Sequence, residues 1–360
     1  MSSIWGNALK ISIFGESHGA GIGMVIDGLP TGFEIDMDEI HREMQRRSPG
    51  RSTIATARKE GDVPEILSGY FNGKTTGTPL TGIIRNKDVH SKDYNHLKKI
   101  MRPGHADYTG YVRYQGYNDY RGGGHFSGRI TAPLVLAGAI CKQILEKEEI
   151  YIGAHVKSVA SIVDKSFGEV ELSEGLFRKL RREELPLLDK DLEPSIRNAI
   201  FQIKKEEDSL GGIIECAVIG IKAGIGNPFF DSVESILAHL MFSVPAVKGI
   251  EFGAGFDIAK LKGSQSNDAY YYQGEKVKTY TNNNGGIIGG ITNGMPIVFR
   301  VAIKPTPSIS KTQQTIDIEK KENVQLEIKG RHDPIIVLRA VPVIEAASAI
   351  GILDLMLSQK

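Results

Sequence analysis

The chain has 360 residues, 41% of them hydrophobic, enough to bury a large core in one domain or two. Its 44 Lys and Arg against 43 Asp and Glu leave a net charge of +1, which excludes a general attraction to nucleic acid or to an anionic membrane, so any basic site must be local. Cys141 and Cys216 lack CxxC or metal-ligand spacing, the longest uncharged apolar run (Ile130 to Cys141) is too short for a bilayer, and no export signal is visible, so a cytoplasmic protein with reduced thiols is expected.

Taken in order, Leu9–Phe14 and Gly23–Ile26 read as strands around the turn Gly15-Glu16-Ser17-His18-Gly19. Asp36 followed three residues later by Glu39 predicts a capped helix to about Arg47, ended by Pro49-Gly50. Residues 60–100 read as short strands and loops, and a buried helix runs from near Thr131 to about Lys147. The polar region 164–210 predicts peripheral helices near 174–183 and 190–207, stopped by Gly211-Gly212. Strands follow at Ile213–Ile219, Gly249–Phe256 and Pro296–Lys304, with a capped helix at Asp231–Phe242 and a closing helix at Pro342–Gln359. Strands and helices without regular βαβ alternation predict an α+β fold, and no linker marks a boundary inside residues 1–360.

The 41 glycines exceed the usual share of about 7% and cluster beside Arg, Ser and His, as expected where backbone approaches a ligand. Arg46, Arg47 and Arg51 flank Pro49-Gly50. Arg121 and Arg129 enclose Gly122-Gly123-Gly124-His125-Phe126-Ser127-Gly128, just ahead of a helix N-terminus that suits a phosphate. Lys304-Pro305-Thr306-Pro307-Ser308 and Gly330-Arg331-His332-Asp333 add further cations. Four such clusters predict a ligand set carrying several phosphates or carboxylates. No GxGxxG in its strand–turn–helix context, GxxxxGK[ST], serine elbow or HExxH is present, so no metal is expected. His18 and His105 sit in glycine-flanked turns beside Ser17 and Asp107, and imidazole exchanges protons near neutrality. His41, His90, His96, His155 and His239 stand among ordinary polar residues and carry no expectation.

FGESHG at 14–19, RPGHADYT at 102–109, DYRGGG at 119–124, GSQ at 263–265, the GGIIGGI run within 282–294, KPTPS at 304–308 and GRHDP at 330–334 together resemble the chorismate synthase family over residues 5 to 356. The resemblance implies a β-α-β sandwich with helices layered between antiparallel sheets, assembled as a homotetramer. It implies a lyase that converts 5-enolpyruvylshikimate 3-phosphate to chorismate by trans-1,4-elimination of phosphate, the last step of the shikimate pathway. The resemblance also implies a requirement for reduced FMN without net redox change. The reductant is supplied from outside, NADPH being one source, since no dedicated nicotinamide site is legible.

By motif, His18 resembles the acid that protonates the departing phosphate, and His105 the group that protonates or stabilises reduced flavin. Asp333 resembles the carboxylate acting at flavin N5, and Ser17 and Ser127 the hydroxyls that relay protons or orient these groups. His125, Phe126, Ser127, Pro245, Ala246, Gly289, Lys304, Pro305, Thr306, Pro307, Ser308 and Arg331 match flavin contacts. Arg47, Arg51 and Arg129 match clamps for substrate or NADP anions. Ser48, His125-Phe126 and Pro245 depart from the commonest family pattern, and altered contacts with retained activity are expected. A binding module without turnover would need the cations but not three proton-handling groups.

Overall fold

The computed structural model describes residues 3–50, 61–86, 98–328 and 332–359. Within them, β1 (Ile4–Trp5), β2 (Lys10–Gly15), β3 (Gly21–Asp27), β4 (Pro64–Ser68) and β5 (Leu80–Arg85) form an antiparallel sheet in the order β1-β2-β3-β5-β4. Register pairs Ile11 with Ile26 and Ile22 with Ile84, so alternate residues give one apolar face. A second antiparallel sheet, β6 (Tyr151–Val159), β7 (Ile162–Val163), β8 (Gly212–Ile219), β9 (Val247–Phe252) and β10 (Ile297–Ile303), runs in the order β9-β10-β8-β6-β7. Its inner face carries Ala154, Val156, Ile214, Cys216, Phe299 and Val301, all buried.

The α-helices of seven or more residues are α1 (Met37–Arg47), α2 (Asp107–Arg113), α3 (Thr131–Lys147), α4 (Glu174–Arg182), α5 (Glu193–Lys205), α6 (Val233–Ser243) and α7 (Val337–Leu357). The middle layer is α1, α3, α6 and α7: α3 packs on β3 and β5 of the first sheet, and α7 on β6 and β8 of the second. The fold is α+β, helices between antiparallel sheets. Gly138 lets α3 and α7 approach closely, since a Cβ there would lie 2.3 Å from that of Ala346.

Several boundaries differ from the sequence reading. The closing helix starts at Val337, and Pro342 lies inside it; burial of Val337, Leu338 and Val341 carries the helix across the missing N–H. Ser232 rather than Asp231 caps α6, accepting from the Ser235 amide at 3.0 Å. The strand expected at Gly249–Phe256 stops at Phe252, because Gly253 (φ +55°) turns the chain into a 3₁₀ segment. The run judged too short for a bilayer belongs to Gly128–Lys147, which with Val337–Leu357 is long and apolar enough to cross one. Burial, not shortness, accounts for both: 89% and 83% of their apolar windows are covered within the protein.

In the polar segment α4 packs on the outer face of the second sheet, where Phe167, Phe177, Leu180 and Ala217 form a small core, while Ile196 and Ile200 of α5 join the main core. His155 is not an ordinary loop polar residue. It is fully buried on β6, with Nδ1 3.2 Å from Asp164 and Nε2 3.0 Å from Glu215. Burial alone would lower its pKa, but these two carboxylates outweigh that and raise it. Arg46, read with the anion-binding residues, instead enters a buried ionic cluster, donating to Glu345 at 2.5 and 3.0 Å and to Glu43 at 2.8 Å; Lys142 donates to Glu345 at 2.7 Å. Its charge is balanced inside the helical layer. Both cysteines are buried and free, and burial pushes the Cys216 thiol up to about 12.

Candidate active site

Where β2 turns into β3, the amide of Ser17 donates to the carbonyl of Gly124 at 3.2 Å, joining the first histidine turn to the glycine run. Gly122, Gly123 and Gly124 all have positive φ (57°, 84° and 54°), which glycine alone adopts without strain. That path lays the backbone against two rings. A Cβ on Gly122 would sit 2.2 Å from His18 Nδ1, and one on Gly123 would sit 3.1 Å from His105 Nε2. Two imidazoles from distant parts of the sequence thus pack on consecutive residues.

Each ring is oriented by neighbours. The Ser17 hydroxyl lies 3.1 Å from both His18 Nδ1 and the Gly122 carbonyl; with Ser17 donating to the carbonyl, His18 Nδ1–H donates to Ser17 Oγ. His105 Nδ1 lies 2.7 Å from Asp107 Oδ1 and 3.1 Å from Arg102 Nη2. The guanidinium only donates, so the shorter contact decides: Nδ1–H donates to Asp107, and Nε2 lies toward Gly123. Arg102 also donates to both Asp107 oxygens, at 2.7 and 2.8 Å. Burial alone would raise Asp107, but hydrogen bonds from Arg102 and His105 hold it well below the usual carboxylate range.

Both turns open on one cavity of about 1070 Å³, which is large enough for two small ligands side by side. Its wall includes Arg47, Arg102, Arg129, Lys248, Lys304 and Arg339, with Asp333 as the carboxylate among its described lining residues. Asp62 bridges the two clamp candidates, accepting from Arg47 at 2.6 Å and from Arg129 at 2.8 Å. Burial, then repulsion from Arg339 and Arg129, pushes the Arg47 guanidinium down to about 10, still cationic at neutral pH. Lys304 donates to the Gly104 carbonyl; burial and then Lys248 lower its pKa. Ala246 lines the wall with φ +74°, a strained value for a residue with a side chain.

Most residues singled out in the sequence meet here. Ser17, His18, Arg47, His105, His125, Phe126, Ser127, Arg129, Pro245, Ala246, Lys304, Thr306, Pro307, Ser308 and Asp333 all line the cavity. Five expectations differ or fall outside. Gly289 lies away from it, in a hairpin (Ile287–Ile288 with Ile291–Thr292) held to the start of α6 by the bond from Val233 N to Gly290 O at 3.0 Å. Pro305 turns its ring toward Gly211 instead. Arg51 and Arg331 lie outside the described residues. Arg121 is also turned away, paired with Asp119 at 2.8 Å. Ser127 Oγ accepts from the Arg129 amide at 3.3 Å, capping the turn into α3.

The family model described as chorismate synthase matches residues 9–357. The chain belongs to the chorismate synthase family. Chorismate synthases of Archaeoglobus fulgidus and Thermococcus kodakarensis are each 44% identical over 99% of this chain, covering 97% and 98% of those proteins. A crystal structure of chorismate synthase superposes with a TM-score of 0.76 at 30% identity, covering 99% of this chain and 93% of that one. The family places the chain among shikimate-pathway enzymes, as a carbon–oxygen lyase acting on phosphate with a small-molecule substrate.

Sequence reasoning missed Arg339, which in this chorismate synthase fold donates to Asp333 Oδ2 at 2.8 Å and to the Arg47 carbonyl at 3.1 Å. It sits in the first turns of α7, a helix otherwise nearly all apolar. An arginine there is the signal that was available. Asp62 was missed because nothing near it in sequence announces a site, and His239 because α6 reads as an ordinary core helix.

Proposed function

We propose that the cavity carries out trans-1,4-elimination of phosphate from 5-enolpyruvylshikimate 3-phosphate, giving chorismate, with reduced FMN bound beside the substrate. The observation that carries this reading is the approach of His18 and His105 to consecutive glycines on a wall that also presents Asp333. Binding alone requires cations; it does not require three proton-handling groups.

The donor set fits a phosphorylated flavin. Thr306 Oγ1 is buried with no hydrogen-bond partner among the described residues, next to Lys304 and Ser308 on the same strand end. Together with His125, Phe126, Ser127, Pro245 and Ala246 these residues would hold the cofactor. The chemistry that reduced FMN supplies when bound is transient electron density and acceptance of the C6 hydrogen, with no net change of redox state.

The protein's own residues do the rest. Arg47 and Arg129, fixed by Asp62, offer preorganised charge to the substrate's phosphate and carboxylates in a partly enclosed site, where such charge costs no reorganisation. His18 donates a proton to the departing phosphate, with Ser17 orienting its ring. His105, its Nδ1–H held by Asp107, would offer an Nε2–H donor to the anionic edge of the cofactor when the ring is protonated. Asp333 receives a proton, its carboxylate oriented by the hydrogen bond that Arg339 donates to Oδ2.

We also infer one functional unit over the whole chain, a cytoplasmic homotetramer fed by an external reductant. The exposed Phe229, Phe230 and Tyr272 support an assembly surface. The test is anaerobic chorismate formation by wild type and His105→Ala. The wild type turns over only with reduced FMN, and the variant loses about 10²–10⁴-fold while still binding FMN. Equal rates in both proteins would overturn the assignment.

A further inference from the structure

We propose that Asn86 is the positioning residue for His18, and that it ties the histidine turn to Arg129. This rests on the reading of His18 given above and extends it to a residue that no motif singled out.

Asn86 follows directly on the last residue of β5, facing the turn between β2 and β3. Its amide makes three contacts whose directions chemistry fixes. A guanidinium only donates, so Oδ1 accepts from Arg129 Nε at 2.6 Å. Carbonyls only accept, so Nδ2 donates one hydrogen to Glu16 O and the other to Gly19 O, each at 2.9 Å. The Asn86 backbone N–H adds a bond to Ala20 O at 3.3 Å.

The two carbonyls bracket Ser17 and His18. Within the turn, the bond from Gly19 N to Glu16 O at 3.1 Å closes the loop but does not fix how it is rotated on the sheet. Ser17 ties the turn to the glycine run, and Asn86 adds the constraint at the β5 end, since both of its N–H groups hold the turn from one side. Its carbonyl meanwhile holds the guanidinium of Arg129, which shares Asp62 with Arg47. The side chain therefore links the anion clamp to the proton donor. A carboxylate in its place keeps the acceptor for Arg129 but sets oxygen against two carbonyl oxygens. Asn86→Asp thus separates the two halves of the role.

The experiment follows the histidine Cε1–H resonances of the full chain without cofactor, with the His18 signal assigned through His18→Ala. In Asn86→Asp the His18 resonance and its titration midpoint move, while those of His105 stay at wild-type values. Asn86→Ser, which keeps one donor, gives a smaller displacement in the same direction and serves if the aspartate variant does not fold. In turnover, kcat falls by about tenfold or more, the scale of a misplaced catalytic group, while KM changes little because Arg129 keeps a partner. Added to His18→Ala, the Asn86→Asp change costs nothing further in kcat. A His18 resonance and midpoint identical to wild type in both variants would overturn the inference. So would an equal loss of kcat with and without His18. If the wild type makes no chorismate, the functional reading fails separately, and the resonances still decide the role of Asn86.

Discussion

Asp333 and Arg339 are six residues apart in sequence and 2.8 Å apart in space, the carboxylate before α7 and the guanidinium inside it. The pair places a held carboxylate on a wall otherwise rich in cations. Asp333→Asn keeps the shape and removes the proposed proton acceptor. Its kcat is expected to fall about 10²–10⁴-fold, with FMN affinity little changed. Steady-state kinetics with a parallel flavin titration checks this; unchanged kcat would remove Asp333 from the chemistry.

Gly122→Ala tests the packing of His18. The added methyl would lie 2.1 Å from His18 Cε1, at φ +57°, so the ring must shift. A displacement of that order costs about 10²-fold in rate. The expected result is a folded protein, by circular dichroism, with kcat reduced to that extent.

Glu345→Gln should destabilise the protein by ~3–5 kcal/mol, because Arg46 and Lys142 would keep their buried charges without a full partner. Burial alone would raise Glu345, yet Arg46 and Lys142 hold it well below the carboxylate range, so the wild-type cluster is ionised. Urea unfolding at neutral pH measures the difference.

The pH dependence of stability has two limbs. Asp107, Asp62 and Glu345 are held below their ordinary values, so their contribution is present above about pH 4 and is lost as pH falls further, through their folded pKa values. His155 is raised, so its contribution is complete below about pH 6.5 and is lost as pH rises through its folded pKa. Unfolding midpoints across this range should fall at both ends. Asp107→Asn should weaken the acid limb and His155→Gln the upper one.

Much of this was legible in the chain. Capping at Asp36 and the apolar run from Thr131 gave α1 and α3 almost to the residue, because local chemistry sets those ends. Pro342 misled, since tertiary burial overrides a local break. The motifs led to His18, His105 and Asp333, but residues that act by pairing across the fold were silent. Arg46 and Arg47 are neighbours on one helix, and only packing sends one to Glu345 and the other to Asp62. Asn86 and Asp62 matter only through partners brought by the sheet, which no local pattern encodes.

In the proposed reaction one cation-lined chamber holds reduced flavin against a multiply charged enolpyruvyl phosphate without consuming its electrons. Anaerobic single turnover, with flavin absorbance, phosphate and chorismate followed together, tests it most directly. One phosphate and one chorismate per active site are expected, with the flavin still reduced at the end. Flavin oxidised in step with product, or no chorismate from a protein that binds both ligands, would contradict it.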